Sequence, residues 1–164
     1  KEQRKECISC LKIGNLTGMN CMIENELFLI DTNIFVYYYD TADKDKHEIA
    51  SALLDRCWSG EIKFCVSVQN LSEMFSVLTR KHLLEKSEAR INVSDLINFS
   101  GWIKIIFDQQ IILDAMDISE KYNMSYWDSL LAATMKQNRV LNIYTENKKD
   151  FKVPWLNVVN PFSK

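Results

Sequence analysis

Short unbroken apolar runs alternate along this chain with longer segments whose apolar residues recur every three or four positions, and this alternation constrains the fold more than any other feature. Runs of that kind are strands buried on both faces, and the amphipathic stretches between them are the helices that cover those faces. The order predicts an α/β fold: a three-layer α/β/α sandwich around a central, mostly parallel sheet of four to five strands. Strands are expected over residues 27–30, 62–66, 102–107 and 141–144, with a short last one over 156–159 before Pro161. Helices are expected over 32–39, over 46–58 with Ile49, Leu53, Leu54 and Cys57 inward, and after Ser67, over 68–84, with Leu71, Met74, Phe75 and Leu78 inward. Gly60 is placed to stop the second of these in the left-handed conformation. Three more are expected over 87–99, 111–122 (Ile112, Ala115, Met116 and Ile118 inward) and 125–137.

The chain is long enough for one sizeable core and short for two domains. Residues 1–21 are polar and aperiodic, so they read as an extension outside the fold; Met22 looks like a natural beginning, and 22–164 is the expected domain. No apolar run approaches the roughly 18 residues that cross a bilayer, so the expectation is a cytoplasmic protein without a membrane partner. Of five cysteines, Cys57 and Cys65 sit in apolar company and read as core. Cys7 and Cys10 form a C-x-x-C with only Cys21 nearby, too few ligands for a structural zinc and no disulfide framework. A net charge of −2 repels a polyanion at long range, so a nucleic-acid partner would need a local basic patch.

Parallel α/β sheets bind ligands beyond the carboxyl ends of their strands, which makes the polar residues just after each strand the ones to inspect. Asp31 follows the first strand, Glu73 lies on the helix after the second, Asp128 opens the helix before the fourth, and Glu146, Asn147 and Asp150 follow the fourth. Each has an ordinary structural alternative. Asp31 suits a helix N-cap, Ser125-Tyr-Trp-Asp128 suits a capping box, and Glu73 suits a solvated helix face. Taken together they are carboxylates set among apolar neighbours, costly to bury unless neutralised, and hard oxygen donors of this kind suit Mg2+ or Mn2+.

Four segments in order, Leu29-Ile-Asp31-Thr-Asn33, Val66-Ser-Val-Gln-Asn-Leu-Ser-Glu73, Ser125-Tyr-Trp-Asp128-Ser-Leu-Leu-Ala-Ala and Ile143-Tyr-Thr145-Glu-Asn147-Lys-Lys-Asp150-Phe, resemble the motifs of PIN domains, and within them the VapC-type toxins of bacterial toxin–antitoxin systems. The ending Asn157-Val-Val-Asn160-Pro161 is also similar. The resemblance implies a metal-dependent endoribonuclease, the toxin of a type II pair, that leaves a 5′-phosphate and a 3′-hydroxyl. It places the catalytic, metal-binding acids at Asp31, Glu73 and Asp128. Many relatives carry an acid where this chain has Asn147, so Asp150, or failing it Glu146, is expected to compensate. Asn33 and Thr145, with Glu146 and Asn147, are expected to support the ligands.

Arg80, Lys81, Lys148 and Lys149 are the candidate RNA-binding cations, with His82 and Lys152 beside them; Tyr37, Tyr38 and Tyr39 are candidates for base stacking, although their amphipathic helix makes at least two of them core or interface residues by expectation. The resemblance further implies a homodimer and a cognate antitoxin. Two competing readings remain open: a catalytically impaired PIN-like RNA-binding or assembly module, suggested by Asn147, and a phosphatase or receiver-like protein using Asp31 as phosphoryl acceptor. The second would want another Asp where Asn33 stands.

Overall fold

A computed structural model describes residues 27–163. The elements follow the expected order: β1 (Phe28–Ile30), α1 (Thr32–Tyr39), α2 (Lys44–Trp58), β2 (Phe64–Ser67), α3 (Val68–Arg80), α4 (Lys86–Asn98), β3 (Trp102–Ile105), α5 (Gln109–Tyr122), α6 (Tyr126–Gln137), β4 (Asn142–Tyr144), a 3-10 turn (Lys148–Asp150) and β5 (Asn157–Val159). The sheet runs β3-β2-β1-β4-β5 and every pairing is parallel, so the expectation of a mostly parallel sheet becomes an entirely parallel one.

Strand alternation divides the core in two. Leu29, Cys65, Ile105, Ile143 and Val158 pack with α5 and α6, while Ile30, Phe64, Val66 and Trp102 pack with α1 to α4 on the other face. Because both faces are covered, the inner strand β1 and residues Phe64–Val66 of β2 are apolar without interruption. Cys57 and Cys65 are buried free thiols. Cys7, Cys10, Cys21 and the proposed extension lie outside the described residues.

Several inward assignments need correction. Ile49, Phe75 and Met116 are 38%, 37% and 51% exposed, whereas Ala50, Leu54, Met74, Leu78, Ala115 and Ile118 fill the interior. Helices covering one face of a sheet bury a narrower stripe than a full amphipathic reading assigns. α3 also stops at Arg80 rather than continuing to Leu84, because His82 adopts φ 55°. The Leu83 and Leu84 amides then donate back to the Leu78 carbonyl at 3.0 and 3.4 Å, which turns both side chains onto the core. Gly60, at φ 79°, terminates α2 as expected.

β1 is the central strand, and the chain leaves it toward β2 on one side and later returns to β4 on the other. The crevice where the order reverses opens at the carboxyl ends of these strands.

Candidate metal centre

Register brings the first pair of site residues together. Ile30 lies opposite Tyr144 in the β1–β4 ladder, and the Asp31 amide donates to the Tyr144 carbonyl at 3.0 Å, so the next residues, Asp31 and Thr145, stand side by side. Thr145, fully buried, donates its hydroxyl to Asp31 Oδ2 at 2.6 Å. Asn33 Nδ2 donates to the same oxygen at 2.7 Å and to the Thr145 hydroxyl at 3.0 Å, and the Thr32 amide donates to Asp31 Oδ1 at 2.7 Å. Asp31 is therefore the N-cap of α1 and also lines the crevice.

Glu73 reaches the crevice from α3. Its Oε2 accepts from the Thr32 hydroxyl at 2.8 Å and its Oε1 from Gln69 Nε2 at 2.9 Å. Thr32 in turn accepts from Asn70 Nδ2 at 3.2 Å, and Asn70, fully buried, closes the capping box of α3 with Ser67. The cap that starts α3 thus also aims its carboxylate. Asp128 is held by its own capping box: Ser125 Oγ donates to Oδ2 at 2.5 Å and accepts from the Asp128 amide at 3.1 Å. Sequence reasoning missed Thr32, Gln69 and Asn70. Their position three and four residues before Glu73, and directly after Asp31, was the signal that could have found them.

Asp31, Glu73 and Asp128 line one cavity of about 330 Å3 together with Asn33, Asn147 and Lys81. Burial pushes the Asp31 carboxyl up to about 6 against the Thr145 and Thr32 hydrogen bonds, and the charges of Glu73 and Asp128 push the same way. Burial also raises Asp128, the Ser125 hydroxyl opposes it, and Asp150 and Glu73 add to the rise. Burial, more than mutual repulsion, makes Asp31 and Asp128 costly to ionise.

The late loop divides its residues. Asp150 is exposed on the 3-10 turn, within electrostatic reach of Asp128. Glu146 turns away from the crevice. It accepts from Lys46 Nζ and from the Tyr37 hydroxyl, both at 2.6 Å, and these bonds outweigh its partial burial and hold its carboxyl below the usual range. Its backbone amide still donates to Asn33 Oδ1 at 3.3 Å, and the Asn147 amide donates to the Thr145 hydroxyl at 3.0 Å.

Among the basic candidates, Lys81 lines the crevice, 3.8 Å from Asp40, and Arg80 lines an adjoining groove of about 770 Å3 that also touches Glu73 and Trp127. Lys148 and Lys149 are exposed on the turn without lining either cavity, and Lys152 donates to the Asn123 carbonyl at 2.6 Å. Two of the three tyrosines lie away from the carboxylates, in keeping with the expectation that at least two serve as core or interface residues, while Tyr37 lines the crevice. Tyr37 is bound into the Glu146 contact, and Tyr38 and Tyr39 line a separate cavity, because α1 turns that flank away from the carboxylates.

Among the described residues no three acidic, histidine or cysteine side chains stand close enough to grip one ion by themselves. The donor set nevertheless suits a hard divalent cation that keeps part of its water shell: carboxylates, amide oxygens and a hydroxyl, with no thiolate or imidazole lining the crevice. An ion there would offset the burial, and the lesser mutual repulsion, that raise Asp31 and Asp128. No helix among the described residues is long and apolar enough to cross a membrane.

No curated protein matches the chain. Among solved structures, the fold is similar to VapC20 of Mycobacterium tuberculosis, a sarcin-ricin loop cleaving toxin, at 16% identity with a TM-score of 0.57 over 72% of this chain and 88% of that one. A toxin-antitoxin complex from Klebsiella pneumoniae aligns at 21% identity and 0.57 over 82% and 97%. FitAcB from Neisseria gonorrhoeae aligns at 20% and 0.58 over 83% and 99%. The PIN domain profile matches residues 28–154. A profile that runs from the first strand past the 3-10 turn, over a fold these solved proteins share, makes this chain a member of the PIN-domain family.

Proposed function

We propose that this protein is a divalent-metal-dependent endoribonuclease, the toxin of a type II toxin–antitoxin pair, hydrolysing RNA phosphodiester bonds in the crevice of Asp31, Glu73 and Asp128. The observation that carries the reading is the convergence of these three carboxylates from β1, α3 and α6 on one cavity at the switch point of the sheet. Asp31, Glu73 and Asp128 would hold Mg2+ or Mn2+, with Asp150 adding charge through Asp128. When bound, the ion supplies an acidified water and positive charge for the phosphoryl group. The chain's own residues do the positioning: Thr145 and Asn33 orient Asp31, Thr32 and Gln69 orient Glu73, and Ser125 orients Asp128. Lys81 in the crevice and Arg80 beside it are placed to bind phosphates flanking the cut, with Lys148 and Lys149 extending the basic rim.

The sarcin-ricin loop cleavage by the mycobacterial neighbour and the toxin-antitoxin complex formed by the Klebsiella one support the same reading for this chain, including a cognate antitoxin. A homodimer is supported by the apolar surface near Arg80, where Phe107 lines the groove and Trp127 is 62% exposed. Light scattering that finds a monomer at every concentration would remove the dimer. Asn147 favours one alternative, a catalytically impaired module that binds RNA without cutting it.

The deciding experiment incubates the full chain with a structured RNA pool in Mg2+, Mn2+ or EDTA, beside Asp31→Asn and Asp128→Asn. Metal-dependent cleavage lost in both variants supports the nuclease. A folded wild type that binds the pool but cuts it under no metal supports the module.

A further inference from the structure

Away from the acidic crevice, α1, α2 and α4 enclose a second cavity of about 730 Å3. Tyr38, Tyr39, Trp58 and Phe99 form its aromatic lining, and Asp55 and Asp95 face it from α2 and α4. The rings meet in two pairs, Tyr38 with Tyr39 edge-on at 5.0 Å and Trp58 with Phe99 tilted at 5.1 Å. Tyr39 is held in place by its hydroxyl, which donates to Asn92 Oδ1 at 2.7 Å. Among the described residues, neither Asp55 nor Asp95 makes a side-chain hydrogen bond or an ion pair, and no lysine or arginine covers the four rings. Both carboxylates act on the tyrosines nonetheless. Burial first, and then Asp55, raise the Tyr38 phenol; burial, Tyr38 and Asp95 raise that of Tyr39.

We infer that this cavity receives the guanidinium of an arginine side chain presented by a partner polypeptide. The negative faces of aromatic rings attract a cation, and two carboxylates beside them supply the countercharge that no group of the described chain supplies. A planar guanidinium stacks on an indole and still donates to two acids from its edge, which a compact ammonium does less well. A nucleic acid is a poor occupant, because the lining holds two anions and no cation to meet a phosphate. A polypeptide fits better than a free amine because the same face of α4 continues from Asp95 to Ile91, 58% exposed, four residues away, which offers an apolar contact beside the charged one. The inference stands apart from the nuclease reading, since none of these residues lines the acidic crevice.

The test is an NMR titration of the full chain with acetyl-arginine amide, with its neutral isostere acetyl-citrulline amide, and with an amphipathic helical peptide carrying a leucine four residues from an arginine. Saturable shifts of the Trp58 indole and the Asn92 side-chain amide are expected with arginine. They should weaken about tenfold with citrulline and in the Asp55→Asn/Asp95→Asn variant, whose exposed substitutions leave the fold intact. The peptide should bind at least about tenfold more tightly than the blocked amino acid. Equal response to citrulline, shifts confined to the residues around Asp31, or an unchanged response in the double variant would overturn the cation site. A peptide no tighter than the blocked amino acid would overturn the polypeptide occupant.

Discussion

The Thr145 hydroxyl donates to Asp31 Oδ2 at 2.6 Å, a bond between the residues that follow β4 and β1 and therefore a direct product of strand register. It favours the ionised form of a carboxyl that burial otherwise pushes up to about 6. Thr145→Val keeps the shape and removes the donor, so the Asp31 carboxyl should rise further. The acid limb of Mg2+ binding and of cleavage, measured as a pH profile, is expected to move upward by on the order of one pH unit. An unmoved limb would mean that Asp31 does not control it.

Asp31 should also limit the stability of the metal-free protein. Its folded value, about 6, lies above the ordinary 3.8, so the folded state holds the proton more tightly and stability falls as pH rises from about 4 to about 6. Above that window the full penalty remains. Asp31→Asn should remove this slope and raise stability at neutral pH by on the order of 1 to 3 kcal/mol while abolishing metal binding. Urea unfolding in EDTA across that range checks it; a variant less stable than wild type at pH 7 would contradict it.

Glu146 and Asp150 should separate cleanly. Glu146 is committed to Lys46 and Tyr37, so Glu146→Gln is expected to leave Mg2+ affinity within about twofold and to loosen the loop that carries Thr145 and Asn147, costing at most about 1 kcal/mol. Asp150, which acts on Asp128, should weaken Mg2+ binding several-fold when changed to Asn. Isothermal titration of both variants decides, and the reverse ranking would assign the compensating charge to Glu146.

Asn147 lines the crevice with a neutral side chain at the position where the family resemblance leads one to expect an acid. Asn147→Asp should tighten Mg2+ about tenfold and, in EDTA, lower stability at neutral pH, because a fourth charge joins an already repelling set. Tighter metal binding without faster cleavage would show that the natural Asn already completes the working site.

Lys81 shares the cavity with the acids. Lys81→Met is expected to raise the RNA KM with little change in kcat and to reduce the salt dependence of binding by about one phosphate contact. A kcat loss at constant KM would assign it to the chemical step instead.

By itself the sequence determined the parts whose signals are local. Apolar runs such as Phe28–Ile30 had to be strands covered on both faces, Ser125 suited the start of a helix and Gly60 the end of one, and the motif acids stood out because Asp31 follows a strand, Glu73 lies on the helix after one and Asp128 opens a helix. Only the tertiary structure decided what depends on residues far apart in the chain. Strand register set Thr145 against Asp31, and the α1–α3 contact gave Thr32 to Glu73. Lys46 claimed Glu146 and left Asp150 beside Asp128, a choice between two carboxylates of equal chemistry that no local pattern encodes. The same holds for Tyr37, Tyr38 and Tyr39: consecutive residues on a helix point about 100° apart, so their roles were divided by which neighbours α2 and α4 brought to each face.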